Sequence, residues 1–217
     1  MPKPFDPAAK KEKQSRNPEV TKANILAAAI EEFAQYGLSG ARTEAIATRS
    51  GVTKAMLCYY FKNKETLYKS VLQQLVDEIN NAFQSIDLEK LSPEQALETV
   101  VRNYIGFEVS HRWHGMLWFQ EAIQNQGRYG EQTGWEAGFQ AIVEILERGI
   151  AEGKFRPVDP FLTAINILGV CSFYFDAYEN LKYLNTEKAL LSAEMVKEQT
   201  ETAVEFILAG LTTSGQV

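Results

Sequence analysis

Two cysteines, Cys58 and Cys171, are all that this 217-residue chain contains. They are too few and too far apart for a disulfide framework, so both thiols are expected to stay reduced. Long apolar runs are also missing. The nearest candidate, Phe161 to Phe175, is broken by Thr163, Asn166 and Ser172 and falls short of the roughly 18 to 20 residues that span a bilayer. The opening MPKPFDPAAKKEKQSRNP lacks the apolar core of a secretory signal. No membrane is therefore expected as a partner, and the cytoplasm is the expected location. No run alternates apolar and polar residues as a half-buried strand would, and no internal repeat is visible. Gly-rich phosphate loops, nucleophile elbows and HExxH motifs are absent too, so no residue set points to an enzyme or to a cofactor.

What is present is a charge asymmetry. The net charge is −6, which argues against a nucleic-acid partner until the chain is divided. Residues 1 to 64 carry +5 and residues 65 to 217 carry −11. A basic head on an acidic body attracts phosphates at one end and orients the encounter by repulsion at the other.

Periodicity reads as helix nearly throughout, which makes the fold class all-α. Residues 1 to 17 form a basic mobile arm in this reading. After Asn17-Pro18, the residues Ile25, Leu26, Ala29, Ile30, Phe33 and Tyr36 share one helical face, and Gly37 stops the helix. Further starts fall at Thr43, Thr53 and Asn63, each suited to cap a helix. The last of these opens a segment without a breaker from Lys64 to Phe83. Ser92-Pro93-Glu94-Gln95 has the form of a capping box with a first-turn proline. Helices are then expected to about Ser110, over Trp118 to Gln124, from about Gln132 to Glu152, from Asp159-Pro160 to Leu181, and from Thr186-Glu187 to Gly210. The last two are expected to pair with their symmetry mates, burying Val204, Ile207, Leu208 and Leu211 in a dimer interface.

The informative stretch is RTEAIATRSGVTKAMLCYYFKNKETLY, residues 42 to 68. Two short helices flank Ser50-Gly51-Val52, the spacing of a helix-turn-helix. Small Ala47 lets the helices cross closely, Gly51 permits the turn, and Ile46, Val52, Leu57 and Tyr60 can seal the interior. The outer face of the second helix is then free to enter a major groove about 12 Å wide.

These residues, from Phe33 and Tyr36-Gly37 through Ile46-Ala47 and Ser50-Gly51-Val52-Thr53-Lys54 to Tyr59-Tyr60-Phe61-Lys62-Asn63-Lys64-Glu65-Thr66-Leu67, resemble the signature of TetR-family transcriptional regulators. The resemblance implies a three-helix DNA-binding domain over 18–66 and a ligand-binding and dimerisation domain over 67–217. It also implies a homodimer that holds a double-stranded DNA operator and is released by a small-molecule inducer. Thr43 and Thr53 would cap helices and meet phosphates, while Tyr59, Tyr60 and Lys64 would grip the backbone. Lys54, Ala55 and Met56 would face base edges. Cys58 departs from the pattern, which commonly has an aromatic residue there. Burial as a small side chain outweighs a redox role for it. A helical enzyme or lipid-binding module with a basic head is the alternative reading.

The second domain is rich in aromatic residues. Trp113, Trp118, Phe119, Phe173, Tyr174 and Tyr178 are dense enough to line a cavity as well as fill a core. Glu108, Glu121, Asp176 and Glu179 would suit a cationic ligand, a weak signal where acidic residues abound. His111, His114 and Glu121 share a helical stripe that invites a metal reading. Packing outweighs it, because no further ligands stand nearby. The helix from Lys64 is the one obvious connection between the two parts.

Overall fold

The computed structural model describes residues 17–84 and 86–212. Apart from Asn17, the basic arm expected over residues 1 to 17 lies outside them. All regular structure among the described residues is helical.

The first helix, α1 (Pro18–Gly40), is opened by the Asn17 side chain, which accepts a hydrogen bond from the Glu19 amide at 3.0 Å. Ile25, Ala29 and Phe33 are fully buried along one face, while Tyr36 is about half exposed. Helical geometry is interrupted at Gly37, where φ is 65°. Next come α2 (Thr43–Ser50) and α3 (Lys54–Phe61). Gly51 takes a left-handed conformation, φ 70° and ψ 24°, that closes α2 and starts the turn. Thr53 caps α3 as expected, its hydroxyl accepting from the Met56 amide at 3.2 Å. Thr43 does not cap α2. It is the first helical residue, and Arg42 precedes it without a side-chain cap.

The long helix α4 (Lys64–Gln84) crosses residue 66 without interruption. Its first half belongs to the core of the head: Leu67, Tyr68, Val71 and Leu72 are fully buried with Phe33, Ile46 and Leu57. Leu117 and Tyr129, far along the chain, complete this core.

The body contains α5 (Pro93–Ser110), α6 (His114–Asn125), α7 (Glu136–Ala151), α8 (Pro160–Asp176), α9 (Tyr178–Leu181) and α10 (Ala193–Leu211). The capping box at Ser92 and Gln95 forms in full. Boundaries shift where loops have their own hydrogen bonds. Residues 130–132 make a 3-10 turn, and Gly134 has φ 75°, so α7 starts four residues later than the apolar pattern indicates. The last helix begins at Ala193, capped by Ser192, instead of near Thr186. The Tyr174 hydroxyl donates to the Leu190 carbonyl at 2.5 Å, tying the intervening loop to α8.

A second core joins α5, α7, α8 and α10 through Leu97, Ile105, Leu146, Ile167 and their neighbours. Val204, Ile207 and Leu211 are buried in this core within the single chain, and Leu208 packs against it. Val204, Ile207 and Leu211 are therefore covered by the chain's own helices and not left for a partner, whereas Leu208 is half-buried. On α10 they form the inward stripe, and Phe206, on the opposite face, is two-thirds exposed.

Glu121 holds the head to the body. Its carboxylate is almost fully buried. One oxygen accepts from the Tyr68 hydroxyl at 2.9 Å and the Asn125 amide at 2.7 Å, the other from the backbone of Tyr129 at 2.6 Å and Gly130 at 3.3 Å. Four donors offset the cost of burying the charge. Against Tyr68, burial first and then the Glu121 carboxylate push the phenol pKa well up. Glu121→Gln places an amide group among donors that need acceptors, at a cost of about 1–3 kcal/mol. Its thermal midpoint is expected to fall by several degrees; a midpoint equal to wild type would show that this joint contributes little.

Candidate nucleic-acid interface and ligand cavity

On α3, Leu57 and Phe61 are buried one turn apart, which turns Lys54, Ala55, Cys58 and Tyr59 outward. Tyr59 is 83% exposed and meets the half-buried Tyr60 edge-on at 5.4 Å. Met56 is half-buried. Cys58 is exposed, contrary to the burial that its small size favours, because it flanks the buried Leu57–Phe61 stripe and no neighbouring element among the described residues covers it. Thr43 is half-buried with its hydroxyl near Glu44.

The two lysines have different surroundings. Lys54 pairs with Glu44 of α2 across the turn, both exposed. The lysine's hydrogen bond holds the Glu44 carboxyl down at about 2, and Glu44 in turn raises Lys54. Lys64 is half-buried and donates to the carbonyls of Ser39 at 3.1 Å and Ala41 at 3.0 Å, clamping the α1–α2 link.

The body holds a cavity of about 1040 Å³ that is open to solvent on one side. Of the six aromatic residues expected to line it, Trp118 and Phe119 do. Trp113 packs half-buried on the head core. Phe173 is 60% exposed, Tyr174 holds Leu190, and Tyr178 lines a separate cavity of about 120 Å³. Helical phase explains this: Leu168, Ser172 and Asp176, four apart on α8, face the cavity. Phe173 and Tyr174 lie off that stripe. The rings that sequence reasoning left out of the wall are Phe83, Tyr104, Trp135 and Phe139. Val76, Ile79 and Phe83, an apolar stripe at spacings of three and four on α4, were the legible signal for that side.

The inner end of the cavity is polar. Glu108 is 3% exposed and accepts a hydrogen bond from His114 Nδ1 at 2.7 Å. Trp118 Nε1–H donates to His114 Nε2 at 2.9 Å, so that nitrogen carries the lone pair and the ring proton lies toward Glu108. Tyr104 lines the same end, and burial, then the Glu108 charge, push its phenol well up. Asp176 reaches in from α8 and rests against Gly115, where any Cβ would strike its carboxylate. Burial, then the Glu108 charge, push Asp176 up to about 6, with Ser172 and His114 acting in the opposite direction.

The metal stripe does not assemble. His111 bonds the Phe107 carbonyl at 2.9 Å and Glu78 at 3.1 Å, His114 bonds Glu108, and Glu121 is committed to the joint. Among the described residues no group of three such side chains could hold an ion.

Two helices connect cavity and head. Besides α4, α6 lies along α1. Gln124 accepts from the Ser39 hydroxyl at 2.9 Å and packs where a Cβ on Gly37 would sit, and Gln120 donates to the Ala34 carbonyl at 3.4 Å. Helix α4 is thus not the sole link. Among the described residues no helix is long and apolar enough to cross a membrane.

A helix-turn-helix head on a hollow helical body defines a DNA-binding protein with an internal chamber. Residues 25–71 match the family described as bacterial regulatory proteins, tetR family, and residues 93–207 match the tetracyclin repressor-like C-terminal domain. The HTH-type transcriptional repressor NicS of Pseudomonas putida is 31% identical over 166 residues, covering 71% of this chain and 75% of its own. The HTH-type transcriptional regulator RutR of Escherichia coli is 31% identical over 153 residues, 68% of this chain and 70% of its own. The crystal structure of HlyIIR, a hemolysin II transcriptional regulator, aligns with a TM-score of 0.66 at 25% identity over 90% of this chain and 99% of that one. FadR from Bacillus subtilis, in complex with stearoyl-CoA, shares the fold with a TM-score of 0.66 at 19% identity, over 87% of this chain and 98% of that one. The chain belongs to the TetR family of DNA-binding transcriptional regulators.

Asp176 supplies a pH test. Its folded-state pKa of about 6 lies above the ordinary value of 3.8, so between those values the folded state binds more protons than the unfolded one. Stability from this group is full below about pH 4 and lost as pH rises through 6. Asp176→Asn removes that loss, and its melting temperature is expected to exceed wild type at pH 7.5 by an amount corresponding to ~1 kcal/mol after allowance for partial exposure. The gap is expected to close toward pH 4; a constant gap would place the effect elsewhere.

Proposed function

We propose that this protein is a homodimeric repressor that binds a two-fold operator and releases it when a small molecule fills the cavity. One observation carries the proposal: α4 and α6 each form cavity wall in one part and head core in another. A ligand that resets either helix therefore moves the recognition helix α3 with it. The protein acts on chromosomal DNA in the cytoplasm and performs no chemistry of its own.

A single α3 buries too little surface for tight binding, whereas a dimer offers two to half-sites one or more helical turns apart. The surface for pairing is an exposed apolar face: Leu162, Ile165 and Phe173 on α8, with Phe206 on α10. Such a face suits an isologous contact with a second copy. Light scattering is expected to give the mass of a dimer at micromolar concentration.

At the DNA, Lys54, Ala55 and Met56 read base edges, and Thr43, Thr53, Tyr59, Tyr60 and Lys64 meet the backbone. Lys64 spends two of its three donors on Ser39 and Ala41, leaving one for a phosphate. Lys64→Ala should weaken all sequences about equally and lower the salt slope by about one. Lys54→Ala should relax preference at one operator position, costing about 1–3 kcal/mol there. Indistinguishable specificity profiles for Lys54→Ala and wild type would remove Lys54 from the reading set.

The decisive experiment titrates fluorescent DNA from upstream of the protein's own gene, with and without candidate ligands, while following tryptophan emission. Trp118 and Trp135 line the cavity and Trp113 packs on the head. An inducer should perturb emission and weaken operator binding by roughly 5- to 150-fold, with DNA weakening the inducer by the same factor. A cavity ligand that leaves operator affinity unchanged would refute the coupling.

A further inference from the structure

We infer that the ligand this cavity is built for is an organic cation, a protonated amine or amidinium on a flat apolar body, seated with its charge between Glu108 and Asp176. The inference rests on the reading of the cavity as the effector site and specifies its chemistry.

Four acidic residues in the sequence could favour a cation, and the structure separates them. Glu179 is on the surface with Lys182 and Arg112. Glu121 touches the wall, but its oxygens are occupied by four donors. Glu108 and Asp176 remain, reaching the same end of the cavity from α5 and α8. Glu108 is nine-tenths buried or more, and its hydrogen-bond partner is neutral: an imidazole whose lone pair is spent on Trp118. Hydrogen bonds from neutral donors steady a carboxylate without cancelling its charge. Each carboxylate oxygen has two acceptor positions, so capacity is left over for a ligand N–H.

The compensating charge does not come from the wall. No lysine lines the cavity among the described residues, and the single arginine, Arg128, belongs to the loop after α6, where its guanidinium sits over the Tyr129 ring at 5.5 Å. Behind the two carboxylates, Arg112 borders the smaller cavity but is engaged with Glu179 at 3.6 Å and the Trp113 ring at 4.8 Å. Both carboxylates border the same end of the cavity, and burial, then the Glu108 charge, displace Asp176 toward its protonated form. A ligand cation can take the place of that proton. A carboxylate or phosphate placed there would meet two like charges in a desolvated site. Glu131 and Glu136 also border the cavity but are exposed to solvent, and Trp118, Phe119, Trp135 and Phe139 offer ring faces to an apolar body and to the edge of a cation.

Three probes with one body and different charge test this: pyrenylmethylammonium, pyrenylmethanol and pyrenecarboxylate, titrated into the full-length protein at pH 7.5. Energy transfer from tryptophan to pyrene reports binding. The ammonium is expected to bind at least tenfold tighter than either other probe, about 1.4 kcal/mol. Asp176→Asn and Glu108→Gln are expected to bring it down to the level of the alcohol while the alcohol's own affinity holds. Glu108 is buried and hydrogen-bonded, so Asp176→Asn carries the test should Glu108→Gln fail to fold. If the alcohol or the carboxylate binds as tightly as the ammonium, the cationic class is wrong and the cavity stands as a ligand site. If an ammonium preference survives in a folded Asp176→Asn and Glu108→Gln, the carboxylates do not set it, and the assignment falls. If none of the three binds, both the cation and the effector-site reading fall.

Discussion

The structure depends on one helix serving two cores. Leu117 of α6 is fully buried in the core of the head, while Trp118 and Phe119, the next two residues, face the cavity of the body. A helix placed this way cannot be repacked on one side without disturbing the other. Glu121 keeps it in position, taking donors from α4, from α6 itself and from the loop that follows. A buried carboxylate is a directional fastener: it fails if any partner moves far, whereas an apolar contact can slide. The rotation of α6 is therefore defined.

Two classes of buried carboxylate coexist within a few turns of one another. Glu121 is saturated, and its burial stabilises the junction. Glu108, buried, and Asp176, half-buried, border one end of the cavity, and burial and then the Glu108 charge displace Asp176 toward its protonated form. A half-buried carboxyl that burial pushes toward its protonated form, with Gly115 leaving room for it, is placed where a group serving the fold alone gains little. The two classes differ in how many of their acceptor positions the protein itself fills: all of those of Glu121, and only part of those of Glu108.

Much of this was legible in the sequence, for physical reasons that also set the limits. The head has short-range logic: Thr53 caps, Gly51 turns, Ala47 permits a close crossing, and each acts on neighbours within one turn. The Thr43 cap failed because hydroxyl identity alone does not fix which residue is last outside a helix; Arg42 holds that place. In the body, composition indicated aromatic residues and helices but not their rotation. Phe173 and Tyr174 belong to the right segment, yet Leu168, Ser172 and Asp176 face inward. A helix as apolar all round as α8 gives no periodic signal to choose a face. The same ambiguity put Val204, Ile207 and Leu211 in a dimer interface when they fill the chain's own core. Glu108 and His114 are six residues apart, a spacing that no helix brings together. They meet because the chain turns between α5 and α6.

The placement of the polar and aromatic walls also explains how binding could be turned into motion. A ligand shifts an equilibrium only by binding one arrangement better than the other. Glu108 and Asp176 are held by α5 and α8, helices of the second core. Trp118 and Phe119 are carried by α6, which rests on α1 through Gln120 and Gln124. A molecule with its charge on the first pair and its body against the second spans the gap between the halves and is sensitive to its width. The Glu108–His114 hydrogen bond crosses the same gap in the protein itself, so a cation on the free acceptor positions of Glu108 would add a second contact across it. The spacing of α6 from the second core, and with it the seat of α1 and the recognition helix, becomes a property of the ligand.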